Sequence, residues 1–154
     1  MKKHNGFTII ELLITLTIIM IVLNSAIPQL NAFYNGIKAD EKFSTISMSL
    51  KKSRTLAITS GLETKMTLTE TLDAYSFQFS QNNVTYDELS LDKNDYEVKS
   101  NSGIKKLTFK DDGLSDSSFQ TVRQGIEVCN LRISMKRTYT INSVGLVKST
   151  ESEC

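Results

Sequence analysis

The sequence predicts an α+β fold: a long N-terminal helix, its first half suited to a membrane, packed on an antiparallel β-sheet domain. Three observations predict it. Residues Phe7 to Ile27 form an almost uninterrupted apolar run. Apolar residues then recur at helical spacing as far as Gly61. Beyond Gly61 the rhythm becomes the two-residue alternation of strands.

The first element is a basic stub, Met1-Lys2-Lys3-His4-Asn5-Gly6. The apolar run that follows covers about 21 residues, roughly 32 Å of helix, enough for a bilayer core of about 30 Å. Lys2 and Lys3 precede it, so the positive-inside rule keeps the N-terminus cytoplasmic and sends the remainder outward. Ser25-Ala26-Ile27-Pro28 is a poor signal-peptidase site, so an uncleaved signal anchor is one reading. Glu11 is the one acid inside the run. A carboxylate in hydrocarbon is costly and usually has a partner, which marks Glu11 as a functional residue. Pro28 removes one backbone hydrogen bond, so a kink or local melting is expected there. The helical pattern resumes through Phe33, Ile37, Phe43, Ile46, Leu50 and Ala57, and Gly61 is a suitable stop.

Strands are expected over Lys65–Thr69, Tyr75–Phe79, Ile104–Lys110, Ile126–Ser134 and Thr138–Lys148. Turn-rich pieces separate them: Gln81-Asn82-Asn83, Lys93-Asn94-Asp95, Ser100-Asn101-Ser102-Gly103 and Asp111-Asp112-Gly113. The Asp-Gly pair after Leu107-Thr108-Phe109 is a hairpin signal.

Charge is unevenly distributed along a chain of 154 residues with net charge +1. Between Glu70 and Glu97 seven carboxylates stand against Lys93 alone, a net −6. Between Arg123 and Lys148 five bases (Arg123, Arg132, Lys136, Arg137 and Lys148) stand against Glu127 alone, a net +4. These segments read as solvated faces or as complementary edges for subunit docking. The basic one also reads as a phosphate-binding patch. Cys129 and Cys154 are the only cysteines. In the outward orientation both face an oxidising compartment, where paired cysteines bridge; two free thiols are the alternative. His4 is the only histidine, and it lies in the stub. With no nucleophile elbow, phosphate loop or metal cluster in the rest, neither an enzyme nor a metal or cofactor site is expected.

Gly6-Phe7-Thr8-Ile9-Ile10-Glu11-Leu12 resembles the processing site of type IV prepilins and type II secretion pseudopilins. The resemblance implies that a prepilin peptidase cuts between Gly6 and Phe7 and methylates the new terminus. It also gives Glu11 a role, since its carboxylate can neutralise the Phe7 ammonium of a neighbouring subunit. Leu50–Gly61, Leu107–Gly113 and Val144-Gly145-Leu146-Val147-Lys148 resemble segments of GspH/FimT-type minor pilins. The implied organisation is a leader at 1–6, a transmembrane and assembly helix at 7–28, and a periplasmic globular domain at 29–154. The implied role is a minor pilin, near the filament tip, with other pilins and an inner-membrane assembly platform as partners. A type II secretion pseudopilin is the rival within the class. A DNA-binding minor pilin for natural transformation is another, but Leu146 and Lys148 occupy the arginine positions of that group's Gly-Arg-x-Arg loop.

Overall fold

The computed structural model describes residues 7–100, 105–115 and 125–154. Gly6, Arg123, Ile104 and the Asn101-Ser102-Gly103 turn signal lie outside the described residues. One helix, α1 (Ile9–Ser60), precedes eight strands: β1 (Thr64–Glu70), β2 (Ala74–Gln81), β3 (Val84–Asp92), β4 (Tyr96–Ser100), β5 (Lys106–Phe109), β6 (Ile126–Asn130), β7 (Met135–Ile141) and β8 (Val147–Glu153). The chain divides into two compact units, Met1–Ile37 and Lys38–Cys154.

In the first unit α1 is apolar all round. Its most apolar 18-residue window has a mean hydropathy of 2.3 and none of it is buried inside the molecule. The helix runs without interruption through Pro28, so the local melting expected there does not occur. Phe33 and Ile37 continue the apolar pattern in sequence, yet both are exposed.

In the second unit the helix buries a heptad-like stripe, Ala39, Phe43, Ile46, Leu50, Ser53 and Ala57, at spacings of three and four. The helix stops where Gly61 takes a φ of 66° and donates its N–H to the Ala57 carbonyl at 3.0 Å. That is the left-handed C-cap.

The strands form two four-stranded antiparallel sheets, in the orders β3-β2-β1-β5 and β4-β6-β7-β8. β2 and β3 join through Asn82 (φ 50°) and Asn83 (φ 64°), as a two-residue hairpin turn requires. Two expected strands are interrupted by turns. The chain reverses after Asn130, whose side-chain oxygen accepts from the Arg132 and Ile133 N–H groups. The Thr138–Lys148 stretch breaks at a turn closed by Gly145 N–H on the Asn142 carbonyl, 2.8 Å. Inward side chains Met66, Phe77, Phe79, Leu91, Leu107, Phe109, Ile126, Val128 and Tyr139 surround the helix stripe. Phe43 meets Tyr96 edge-on, with ring centroids 6.3 Å apart. The polar groups carried inward are matched. Ser49 donates to Asp87 at 2.6 Å, Ser53 bonds Tyr86 at 2.6 Å, and Tyr139 donates to the Phe43 carbonyl at 2.8 Å.

Burial pushes Tyr86, Tyr96 and Tyr139 above the ordinary phenol range. Unfolding restores the lower value, so the unfolded chain loses these protons first as pH rises. Stability is therefore full below about pH 10 and declines above it. A pH titration following phenolate absorbance together with circular dichroism is expected to show these tyrosines ionising with unfolding rather than before it.

A candidate processing and assembly site at the helix start

Thr8 and Glu11 close the first turn of α1. The Glu11 Oε2 atom accepts from the Thr8 N–H at 3.0 Å and from the Thr8 hydroxyl at 2.9 Å. In return Thr8 Oγ1 accepts from the Glu11 N–H at 3.3 Å. The Thr8 carbonyl takes the Leu12 N–H at 3.2 Å, the first intrahelical bond. This is a capping box, with Thr8 at the N-cap and Glu11 three residues on. The sequence reading missed it, although Thr-x-x-Glu before an apolar run is its signature.

The cap gives Glu11 two properties. Its charge lies where the helix dipole favours an anion. Both cap bonds use Oε2, which leaves Oε1 without a partner among the described residues. Phe7 lies next to this oxygen pair in sequence and is 79% exposed. An ammonium group presented by another chain therefore has a fixed carboxylate oxygen to meet. Around it, Ile9, Ile10, Leu12 and Leu13 are all exposed, so the carboxylate has an apolar surround.

The remaining sequence candidates do not gather into one site. Arg132 is bonded to Asp95. Lys136 lies 3.6 Å from Glu127. Arg137 reaches Glu151 at 2.5 Å and Asp40 at 3.1 Å, and it stacks over the Phe43 ring at 5.3 Å. Burial works against its charge, but the Glu151 hydrogen bond and the carboxylates outweigh that and raise its pKa. Only Lys148 of the described candidates is exposed with no carboxylate partner among the described residues. The stretch that counts as +4 along the chain is thus largely neutralised in space. Cys129 and Cys154 are joined as a disulfide with Cα atoms 5.9 Å apart, which ties the C-terminal residue to β6.

Residues 1–23 match the prokaryotic N-terminal methylation motif. In fold, the chain is similar to the type IV minor pilin FimU of Pseudomonas aeruginosa, with a TM-score of 0.61 at 12% identity over 77% of this chain and 92% of that one. In this motif and in fold the chain is type IV pilin-like. No curated protein sequence is significantly similar to this pilin-like chain. At 12% identity its likeness to FimU is one of fold.

Proposed function

We propose that this chain is a minor pilin subunit. Residues 1–6 are its leader, 7–28 its transmembrane and assembly helix, and 29–154 its periplasmic domain. Prepilin peptidase cuts between Gly6 and Phe7 and methylates Phe7. Before assembly the chain is a single-pass inner-membrane protein with its N-terminus inside. An assembly platform then adds it to a filament of other pilins at or near the tip, where it primes growth. The observation that carries this reading is the methylation motif over residues 1–23, whose glutamate the structure caps with Thr8.

The energetics of assembly follow from the exposed apolar helix. Its side chains exchange lipid for other helices, and side-chain packing drives that exchange in the absence of a hydrophobic gain. Glu11 supplies the directional element: its open Oε1 takes a neighbour's Phe7 ammonium and fixes the axial register. The second reading, DNA uptake, gains nothing from the geometry. A phosphate would have to displace carboxylates from Arg132, Lys136 and Arg137.

Two substitutions test the proposal. Gly6→Ala is expected to leave the leader attached, as mass spectrometry of the purified subunit will show. Recovery of the unsubstituted protein only with its leader would refute the processing claim. Glu11→Ala is expected to be cut normally but to be absent from sheared filaments. Normal incorporation would refute the register role.

A further inference from the structure

The apolar half of α1 carries several polar side chains, and they differ in one respect. The hydroxyls are satisfied within the helix. Thr15 donates to the Leu12 carbonyl at 2.8 Å, Thr17 to that of Ile14 at 2.8 Å, and Ser25 to that of Val22 at 2.9 Å. The Asn24 carboxamide makes no hydrogen bond among the described residues. Its backbone is also deprived. Pro28 sits four residues on inside the continuous helix and has no N–H, so the Asn24 carbonyl loses its usual donor. A carboxamide without a hydrogen bond and a carbonyl without its usual donor therefore coincide at one residue. Asn24 lies about 26 Å along the helix from Phe7, within the reach of a bilayer core of about 30 Å.

Residue spacing places these groups on one face. Thr17, Asn24 and Asn31 follow one another at intervals of seven, with Pro28 between the last two. At about 100° per residue Glu11 lies about 140° away round the helix. Met20 and Ile21, which flank Asn24 on that face, are 61% and 70% exposed. Lipid tails supply neither donors nor acceptors to such a face.

We infer that a second copy of this chain docks on the Asn24 face, as a parallel pair of helices in which the two Asn24 residues bond to each other. The inference rests on the membrane anchoring proposed above. The same leader charges orient every copy alike, and the same apolar run sets every copy at the same depth. Equivalent residues of two copies therefore meet at one level. A carboxamide has two N–H donors and one acceptor oxygen. Each Asn24 can thus serve its partner's amide oxygen and the carbonyl that Pro28 leaves open. An Asn on the seven-residue repeat of a helix seam fixes register between parallel helices. The pairing leaves Glu11 facing elsewhere, open to the ammonium of a third helix. The pair forms before assembly and needs no other pilin.

The test uses the full chain with Leu72, a 94% exposed turn residue, replaced by cysteine for labelling. The native cysteines are bonded to each other and do not compete. Donor- and acceptor-labelled chains are reconstituted in phosphatidylcholine–phosphatidylglycerol vesicles, and energy transfer is followed as lipid dilutes the protein. Transfer that falls with dilution along a monomer–dimer curve is expected. Asn24→Leu should weaken pairing about threefold or more. Asn24→Gln should retain most of it, and Ile19→Leu, on another face, should leave it unchanged. Chains that float with the vesicles but show no transfer above random proximity would overturn the inference alone. So would an Asn24→Leu variant that pairs like the parent, or an Ile19→Leu variant that fails like Asn24→Leu. Chains that do not float would overturn the anchoring as well.

Discussion

Gly145→Val is expected to cost about 3–5 kcal/mol of unfolding free energy, the larger part of the stability of many domains. Three segments meet at this glycine. Arg54, near the end of α1, donates from Nε to the Gly113 carbonyl at 3.2 Å. Ser115, just beyond, donates to the Asn142 carbonyl at 2.9 Å. Gly145 itself has a φ of 75°, and a Cβ there would run into the Gly113 carbonyl oxygen and stand 2.9 Å from Arg54 Nε. Two costs then add: a left-handed backbone for a β-branched residue, about 1–3 kcal/mol, and overpacking, about 1–3 kcal/mol. Gly61 separates them. Its φ is 66°, but a Cβ there meets nothing within 4 Å. Gly61→Ala should therefore lose about 1 kcal/mol, from backbone strain alone. Urea midpoints of the two variants in detergent will decide. Equal losses at both positions would mean that the β7–β8 turn moves freely off Gly113.

The contrast between those two glycines also marks what a sequence can reveal. Gly61 was legible, because it follows a helical run and needs only local geometry. The contact at Gly145 joins residues far apart in the chain, and no local pattern announces it. The buried stripe from Phe43 to Ala57 was legible for the same reason as Gly61. Strand β3 was not singled out, because Asp87, Glu88 and Asp92 obscure the alternation of Leu89 and Leu91. The division into two sheets depends on which strands pair, a long-range choice. At the helix start, the processing motif was read from its residues. The Thr8–Glu11 cap is easily hidden, because the glutamate stands out first as a charge in lipid and only then as the third residue of a helix. The pairing of the basic segment is hidden for a plainer reason. Its charges were counted along the chain, whereas their partners Asp40, Asp95 and Glu151 come from other segments.

Removing the disulfide, as Cys129→Ala with Cys154→Ala, is expected to destabilise the protein by about 3–4 kcal/mol. The bond closes a loop with a sequence separation of 25, and the chain-entropy relation gives about 3.5 kcal/mol for that length. The effect should fall first on β8. That strand is at the edge of its sheet, paired to β7 along Val147–Glu153 and to nothing on its other side among the described residues. Only Val147 of its seven residues is buried. Burying one valine contributes about 1.5–3 kcal/mol. The Arg137–Glu151 pair adds little, since Glu151 is 55% exposed. Apart from the ladder, the bond at Cys154 is the main restraint on the far end of the strand, helped by the Cys154 N–H on the Ser134 carbonyl at 3.0 Å. Without it the strand should fray from its C-terminal end, while β4, β6 and β7 keep their pairing. Hydrogen exchange can observe this directly. Protection of the amides of Lys148 to Glu153 should drop well below that of β6 in the double variant. If β8 instead stays as protected as β6, the ladder alone holds the strand, and the disulfide acts only on the unfolded chain.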